Sequence, residues 1–387
     1  MIVLLVAGCA SLPRTTFTER EQAIAQIPGI PGARFWADAP ADEVRAALRI
    51  EPMVAYARKT GTLNLLALSG GASDGAFGAG VLTGLSAAKS RPQFAFVSGV
   101  SAGALIAPFA FLGPDYDKLL EAAFTDGRAA PVGEGGLLSL LFSQESRREA
   151  LFTLVETIAD ETMLRRVAEE YQRGRRLIVV TTNLDAQRPV AWDMGAIAAS
   201  GAPGALKLFR DVLTASSSVP GAFAPTLIDV EAGGRHFAEL HVDGGATTQV
   251  FTLPDSALAN GAFRKAPPID LPSRMYVIIN NRLQQDFAVV EGSTLPLLGR
   301  SLSTLIKTHT RLTLIATQEF ARTQNIGFNL TYIGDDFPKD LKPTFETPYM
   351  RAIYKYGYEK ALSGSPWTSK VPFPGDPAPG QLILSRK

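Results

Sequence analysis

The chain has 387 residues, 46% of them hydrophobic and 19% charged, and its 38 Lys and Arg against 37 Asp and Glu leave a net charge of +1. This apolar content is enough for a sizeable core and argues against bulk disorder. The balanced charge argues against a nucleic-acid-binding protein, which usually carries a broad basic surface. A single cysteine excludes an intramolecular disulfide framework and a multi-cysteine zinc site.

The only cysteine, Cys9, follows an apolar run over residues 1–8 that is too short to cross a bilayer as a helix. Val6-Ala7-Gly8-Cys9 resembles a bacterial lipobox, in which small residues admit a signal peptidase and the thiol is then lipidated. The pattern predicts a signal segment over residues 1–9 and a lipid-anchored protein of the bacterial cell envelope. Ala10 is not the aspartate of an inner-membrane retention signal, which favours the outer membrane. The alternative is a buried N-terminal strand with an incidental thiol, and the lack of Lys or Arg before the run is in its favour.

Residues 10–61 are predicted to form a tether and an N-terminal helical extension, because prolines interrupt the stretch and Asp42-Glu43 precedes an apolar segment. Apolar or β-branched runs then predict strands over residues 63–68, 94–98, 176–182, 235–242, 275–280 and 327–333. Helices are expected over residues 75–89, 104–112, 145–158, 161–173 and 301–322. The proline-rich sequence from Ser363 onward predicts an irregular end.

Strands that alternate with helices predict an α/β fold with a mainly parallel central sheet flanked by helices on both faces. A catalytic core is expected over residues 62–265, and a C-terminal extension over residues 266–387 is expected to complete the same domain. No segment after residue 9 has eighteen uninterrupted apolar residues, so the sequence predicts an anchored protein and not a membrane-spanning one.

A G-x-S-x-G sequence, Gly99-Val100-Ser101-Ala102-Gly103, lies between a predicted strand and a predicted helix. A nucleophilic serine on such a sharp turn needs small neighbours, which Gly99 and Gly103 provide. The amides and the dipole at the start of the next helix favour negative charge near the serine oxygen. The alternative is an ordinary Gly/Ser turn.

A glycine-rich stretch from Ser69 to Gly78 follows the first predicted strand of the core and opens a helix. Successive glycines let backbone amides converge on one oxygen, which suits either the oxyanion hole of acyl transfer or a dinucleotide pyrophosphate. No acidic residue closes a second strand about 20 residues later, which argues against the dinucleotide.

A serine nucleophile needs a neighbouring base to accept its proton. Asp243-Gly244-Gly245 follows a predicted strand, so Asp243 is expected at the strand's end, and the glycines let the chain turn away. This geometry suits a direct Ser–Asp dyad.

The three histidines leave other bases open. His241 lies two residues before Asp243 on the predicted strand and therefore shares its face. The order Ser101, Asp243, His309 matches that of an α/β-hydrolase triad, although His309 lies within a predicted long helix. His236 is expected to be structural. No grouping of His, Asp and Glu has the spacing of a metal site.

The glycine-rich loop, the elbow, the block from Ala215 to Phe223 and the Asp243 motif occur in the order seen in patatin-like phospholipases. The chain resembles that family over residues 63–250, which implies a parallel α/β sheet with flanking helices and a Ser–Asp dyad without histidine. The resemblance implies that Ser101 is the nucleophile and Asp243 the base, and that Gly244 and Gly245 support the base. It also implies that the backbone of Gly70, Gly71 and Ala72 forms the oxyanion hole.

One residue departs from the family pattern. Asp74 stands where the family usually has Arg or Lys. An acid close to developing negative charge is unfavourable when desolvated, so Asp74 is expected to point to solvent or to cap the helix that starts near Gly75.

The predicted function is a serine acyl-hydrolase that cleaves ester bonds of phospholipids or related lipids through an acyl-enzyme. Its expected partners are the lipid substrate and the membrane, and no nucleic acid, cofactor or metal is expected. The apolar stretch over residues 135–142 is suited to line an acyl channel or to meet a membrane, or else packs in the core. The alternatives are an acyltransferase with the same dyad and a catalytically weak lipid-binding envelope protein. The sequence does not indicate the oligomeric state.

Overall fold

The computed structural model of the protein describes residues 14–133, 144–260, 270–285, 287 and 289–373. The predicted lipobox at Cys9, the apolar stretch over residues 135–142 and the chain beyond residue 373 lie outside these ranges.

Nine strands of the described chain form one mixed sheet. They are β1 (Arg34–Trp36), β2 (Leu63–Leu68), β3 (Phe96–Val100), β4 (Arg176–Asn183), β5 (Arg188–Asp193), β6 (Thr226–Ala232), β7 (Arg235–Asp243), β8 (Ser273–Ile279) and β9 (Gly327–Tyr332). The strands β4-β3-β2-β8-β9 are neighbours in this order and pair in parallel. Beyond them the pairing is antiparallel, with β5 and β7 on β4, β1 on β5 and β6 on β7.

The described α-helices connect and cover these strands. They are α1 (Glu19–Ile24), α2 (Ala41–Leu48), α3 (Ile50–Thr60), α4 (Gly75–Ala87), α5 (Ala102–Leu112), α6 (Asp117–Thr125), α7 (Ala130–Gly133), α8 (Gln144–Ile158), α9 (Glu161–Gln172), α10 (Met194–Ala199), α11 (Ala205–Ser216), α12 (Asp255–Asn260), α13 (Thr294–Thr323) and α14 (Thr347–Leu362). None of the helices in the described ranges combines the length and the hydropathy needed to cross a bilayer.

Both faces of the sheet are buried, as alternate residues of β4 show. Leu177 and Val179 belong to the large core that includes α4, α5, α11 and α14. Ile178 and Val180 point to the opposite face, where α3 packs. Strands buried on both faces have apolar residues in succession, which explains why the parallel strands stand out as apolar runs in the sequence.

The predicted α/β class is confirmed, and the sheet is mixed because the antiparallel strands extend it beyond β4. The six predicted strands and the helices α4, α5, α8 and α9 agree with the structure to within about two residues. The helix α13 begins at Thr294 and not near residue 301. The predicted N-terminal extension contributes β1 to the sheet, and β8 and β9 of the predicted C-terminal extension lie in the same sheet.

Two strands end beside each other on β4, and this arrangement creates the site. β3 pairs with β4 up to Val180, and β7 approaches from the opposite direction and pairs from Thr181 onward. Both lie on the edge of β4 that β5 leaves open, since β5 pairs along residues 178–183. The last residue of β3 and Asp243, the last residue of β7, therefore lie beside neighbouring residues of β4.

Candidate active site

Ser101 occupies a sharp turn between β3 and α5, with φ 54° and ψ −126°. A positive φ is uncommon for a residue with a side chain and stores strain. The neighbouring glycines are required by close backbone contacts. A Cβ on Gly99 would lie 2.4 Å from the carbonyl oxygen of Gly103, and a Cβ on Gly103 would lie 2.4 Å from that of Leu68. The predicted elbow thus has the geometry in which a serine hydroxyl projects from the end of a strand.

The Ser101 hydroxyl donates a hydrogen bond of 2.6 Å to Oδ2 of Asp243. The second carboxylate oxygen, Oδ1, accepts a hydrogen bond of 2.6 Å from the amide of Gly245. Both side chains are nearly closed off from solvent, with 6% of Ser101 and 4% of Asp243 exposed. Burial raises the pKa of Asp243 to about 7, although the hydrogen bonds from Ser101 and Gly245 act in the opposite direction. A carboxyl group with this pKa is well matched to exchange protons near neutral pH.

Three consecutive serines at the end of α11 hold the two reacting residues in place. The Ser216 hydroxyl accepts from the Ser101 amide at 3.0 Å and donates to a carbonyl of β4 at 2.7 Å. The Ser217 hydroxyl donates to the Ser101 carbonyl at 3.1 Å, and the Ser218 carbonyl accepts from the Asp243 amide at 2.9 Å. These serines belong to the block from Ala215 to Phe223, but no role was predicted for them individually. Their run at a helix end was the available signal, since hydroxyls there often bond to backbone groups.

The predicted oxyanion loop lies directly against the nucleophile. A Cβ on Gly70 would lie 3.1 Å from the Cβ of Ser101, so only glycine fits there without displacing the serine. The Gly70 amide donates to the carbonyl of Gln249 at 3.0 Å and is therefore engaged, contrary to its predicted role as an oxyanion donor. Gly71 and Ala72, whose amides have no acceptor within the described ranges, remain the predicted donors.

Side chains after β8 support this loop. Asn280 donates to the carbonyl of Ser69 at 2.8 Å, and Asn281 donates to that of Gly70 at 3.0 Å. The backbone of Asn280 also approaches so closely that a Cβ on Gly71 would lie 2.1 Å from its carbonyl oxygen. These asparagines come from the C-terminal part of the chain, more than 200 residues after the loop, and no local pattern links them to it.

Asp74 is neither solvent-exposed nor a side-chain cap, and both expectations for it were wrong. Its side chain is buried and accepts a hydrogen bond from the hydroxyl of Tyr349 on α14. It stands at the N-cap position of α4, but its side chain makes no capping hydrogen bond. Burial, followed by the charge of Asp74, raises the pKa of Tyr349, which keeps this phenol a donor.

His241 belongs to a separate buried network behind the site. One ring nitrogen lies 2.9 Å from the Thr181 hydroxyl and the other lies 3.2 Å from Glu239. The indole N–H of Trp192 donates to the same hydroxyl, and the His241 ring packs edge-on against that indole. Burial lowers the pKa of His241, so the ring is held neutral. No hydrogen bond joins it to Ser101 or Asp243 in the described chain.

The other two histidines lie on the surface. His236 on β7 is exposed, with a ring nitrogen 3.8 Å from Glu231 on the neighbouring strand. His309 lies within α13, as predicted, and its side chain is exposed. In the part of the chain that the structure describes, no group of three His, Cys, Asp or Glu side chains is arranged to hold a metal ion.

A strained serine in a G-x-S-x-G turn between a strand and a helix is the architecture of the nucleophile elbow in α/β serine hydrolases, and the sheet and this turn define the same structural class here. The Ser101 hydroxyl differs from the usual elbow in that it bonds to a buried acid and not to a histidine. The family model of patatin-like phospholipases matches residues 66–254, so this part of the chain is a patatin-like phospholipase domain. This match confirms the resemblance seen in the sequence.

Two solved structures are similar to the chain at low sequence identity. VipD from Legionella pneumophila is 12% identical with a TM-score of 0.33, and the match covers 78% of this chain and 66% of VipD. The type III effector protein ExoU is 13% identical with a TM-score of 0.29, and the match covers 79% of this chain and 53% of ExoU. The chain thus spans slightly under two thirds and about half of the lengths of these two proteins. No curated protein shows a significant match.

Proposed function

We propose that the protein is a serine acyl-hydrolase that cleaves ester bonds of phospholipids or related lipids, with Ser101 as nucleophile and Asp243 as its base. The observation that carries the proposal is the hydrogen bond of 2.6 Å between the Ser101 hydroxyl and the buried Asp243 carboxylate. A serine hydroxyl becomes an effective nucleophile when a neighbouring group accepts its proton, and Asp243 is the group in hydrogen-bonding contact.

In the first half of the reaction the Ser101 oxygen attacks the ester carbonyl carbon while its proton passes to Asp243. The resulting tetrahedral oxyanion requires preorganised donors. The amides of Gly71 and Ala72 are suited to this role because the loop that carries them packs against Ser101. When the intermediate collapses, the ester C–O bond breaks and the leaving alcohol takes the proton from Asp243. The acyl group remains on Ser101.

In the second half a water molecule attacks the acyl-enzyme and gives a proton to Asp243. The fatty acid leaves, and that proton returns to the Ser101 oxygen. Asp243 therefore alternates between carboxylate and carboxylic acid, which a pKa of about 7 permits near neutral pH. Ser216, Ser217 and Ser218 keep the hydroxyl and the carboxylate aligned throughout, since they hold the backbone of both residues.

The test is hydrolysis of p-nitrophenyl butyrate and of phospholipid by purified variants. Ser101→Ala and Asp243→Asn should each abolish nearly all activity, and the double variant should be little worse than either, because members of one catalytic unit are strongly non-additive. A fluorophosphonate probe should label the wild type at Ser101. Matched controls are Ser98→Ala and Asp193→Asn, which alter a second buried serine and a second buried aspartate and should keep most of the activity.

A histidine triad would give a different pattern. His309→Ala or His241→Ala would then lose as much activity as Asp243→Asn while keeping a native circular dichroism spectrum, and the proposed dyad would be excluded. Wild-type protein with no activity on any lipid or soluble ester, and no labelling by the probe, would favour the lipid-binding alternative.

We further propose that Cys9 carries a lipid anchor in the bacterial outer membrane, which the lipobox-like sequence supports. Metabolic labelling with palmitate should mark the wild type and not Cys9→Ser, and the wild type should fractionate with membranes. Stable anchoring needs more than one acyl chain, since a single chain binds only marginally. Equal labelling of both proteins would refute the anchor.

A further inference from the structure

Gln249 lies between the two loops that flank the proposed dyad. Its side-chain Nε2 donates to the carbonyl of Gly245 at 3.1 Å, and its backbone carbonyl accepts from the amide of Gly70 at 3.0 Å. The Gly245 amide in turn donates to the Asp243 carboxylate. Gly70 packs against Ser101. Gln249 thus contacts both the turn that carries the base and the loop beside the nucleophile.

The carboxamide of Gln249 is close to the reacting atoms themselves. A Cβ on Gly70 would lie 3.0 Å from Oε1 of Gln249 and 3.7 Å from the hydroxyl oxygen of Ser101. A Cβ on Gly245 would lie 2.4 Å from Nε2 of Gln249 and 2.9 Å from Oδ1 of Asp243. Because both residues are glycines, neither position is filled. The carboxamide therefore lies beside the nucleophile with its oxygen and beside the base with its nitrogen.

The oxygen of this carboxamide is an unpaired acceptor. A carbonyl oxygen can only accept, so the bond to the Gly245 carbonyl assigns that end of the carboxamide to Nε2 and the end near Ser101 to Oε1. Oε1 accepts no hydrogen bond within the described chain. Although Gln249 is only 8% exposed, this oxygen keeps access to solvent. Buried side-chain oxygens normally have a partner, so Oε1 is suited to a group that enters during the reaction.

The chemistry of the proposed reaction identifies that group. The ester that reacts in the first half has no hydrogen to donate at its reacting atoms. An attacking alcohol has one O–H hydrogen, which Asp243 takes. An attacking water has two, and when one passes to Asp243 the other still needs an acceptor. Among these three species, only water can use both the base and the oxygen of Gln249.

We infer that Gln249 is a further catalytic residue, whose Oε1 orients the water that attacks the acyl group on Ser101. This inference rests on the proposed acyl-hydrolase function. As the water oxygen bonds to the acyl carbon, one proton passes to Asp243 and the other stays on that oxygen, hydrogen-bonded to Oε1. The bond from the acyl carbon to the Ser101 oxygen then breaks, this oxygen takes the proton from Asp243, and the fatty acid leaves. An acceptor that only water uses favours hydrolysis over acyl transfer to an alcohol.

The experiment lets water and an alcohol compete for the same acyl-enzyme. Wild type and variants react with p-nitrophenyl butyrate in buffer that contains methanol. Stopped-flow detection of p-nitrophenolate gives the acylation burst and the steady-state rate, and gas chromatography gives the ratio of methyl butyrate to butyric acid. The test variant is Gln249→Met, which keeps the side chain's length but removes Oε1. The matched control is Gln22→Met, because Gln22 is also 8% exposed and its side chain donates to Asn183 on β4.

Loss of Oε1 should slow the attack of water at least about tenfold, which is the scale expected when an attacking group is misplaced. The steady-state rate of Gln249→Met should fall accordingly. Its burst should stay within about threefold of the wild type, since acylation loses only the support of the bond to Gly245. The ratio of methyl butyrate to butyric acid should rise about tenfold, because methanol does not use Oε1. Gln22→Met should match the wild type within about twofold in all three measurements.

An unchanged product ratio in Gln249→Met would overturn the inference, because Gln249 would then only tie the two loops together and its loss would affect both attacks alike. An equal rise of the ratio in Gln22→Met would overturn it as well. If Gln249→Met does not fold by circular dichroism, Gln249→Asn serves the same test, since its shorter side chain withdraws the amide oxygen. Failure of the proposed function is distinguishable, because the wild type would then show neither a burst nor either product.

Discussion

The backbone conformation of Ser101 projects the hydroxyl from the turn but destabilises the folded protein. Its φ of 54° is one that glycine adopts freely and other residues adopt at a cost of about 1–3 kcal/mol. Ser101→Gly and Ser101→Ala both remove the hydroxyl, so the difference between them isolates the backbone. We expect the free energy of unfolding of Ser101→Gly to exceed that of Ser101→Ala by about 1 kcal/mol, measured by urea denaturation.

Ser98, on the same strand, provides the control. It is fully buried within β3, and its φ is not positive. There Ser98→Gly should be less stable than Ser98→Ala by about 0.5–1 kcal/mol, since glycine in a strand has more conformational entropy to lose. If the backbone of Ser101 were not strained, the Gly variant would be less stable than the Ala variant at position 101 as well as at position 98.

The protonation state of Asp243 should set the lower pH limit of activity. The pKa of Asp243 is raised to about 7, so at a pH below this value the carboxyl group holds its proton and cannot accept another from Ser101. We therefore expect kcat/KM for a soluble ester to rise with pH through about 7 and then to level off, since this parameter reports the free enzyme. Activity that is constant down to pH 5 would show that the Asp243 carboxyl ionises at its ordinary pKa.

Ionisation of the Asp243 carboxyl group should also change the free energy of unfolding, in a direction that follows from its pKa shift. The pKa of Asp243 is raised from 3.8 to about 7, so the folded state holds this proton more tightly than the unfolded chain. Stability must then fall as the pH rises between these two values, because the folded state binds more protons there. Asp243→Asn should lack this contribution, and comparison of its unfolding with that of the wild type between pH 4 and pH 8 checks the sign.

The environment of Asp74 could not be predicted from the sequence. Its position beside the predicted oxyanion loop was visible in the sequence, but its partner Tyr349 lies 275 residues later. Burial and partner choice are tertiary properties, so neither could follow from the local pattern. The turns that carry Ser101 and Asp243 were visible in the sequence because glycines stand next to both residues. The structure requires these glycines, since a Cβ on Gly99 would lie 2.4 Å, and a Cβ on Gly244 2.3 Å, from a backbone oxygen.

The helices α4 and α14 cross in close contact, and this contact depends on glycine. A Cβ on Gly80 would lie 2.0 Å from the carbonyl oxygen of Tyr354, and a Cβ on Gly357 would lie 2.3 Å from that of Phe77. We expect Gly80→Ala to lower the free energy of unfolding by about 1–3 kcal/mol, because α14 must move away and no flexible side chain can yield. Thermal and urea unfolding of the variant would measure this.

Gly299 in α13 provides the control for Gly80, because it is also a glycine within a helix but a Cβ there would meet nothing within 4 Å. Gly299→Ala in α13 should stabilise the protein by up to about 1 kcal/mol, which is the difference in helix propensity between alanine and glycine. If Gly80→Ala were as stable as Gly299→Ala, the two helices would not be packed at the distance described.

Elements that are buried on both faces or strongly periodic were predictable, and elements defined by their partners were not. β2, β3 and β4 stand out as apolar runs because helices cover both sides of the sheet. β5 and β6 were not predicted. β5 contains Pro189, which disfavours a strand. β6 was missed although its residues alternate between buried and exposed, which is the pattern of a half-buried strand. Their place is set by antiparallel pairing with β4 and β7, which no local pattern encodes.

At the scale of the whole molecule, the fold extends well beyond the part that matches the family model. Residues 66–254 exclude β1, β8, β9 and α14, yet β8 pairs with β2 along six residue pairs in the middle of the sheet. The asparagines that hold the predicted oxyanion loop also follow β8. The candidate active site is therefore completed by residues that follow the matched region.

This dependence predicts the behaviour of fragments. The predicted core, residues 62–265, would leave the edge of β2 unpaired and would expose the apolar face of α4 that α14 covers, and both changes favour aggregation. We expect that fragment to be insoluble or unfolded by circular dichroism and inactive on p-nitrophenyl butyrate. A fragment of residues 14–373, which retains all nine strands and α14, should fold and hydrolyse the ester. A soluble, active 62–265 fragment would show that β8, β9 and α14 form an independent unit, because the site would then have formed without Asn280 and Asn281.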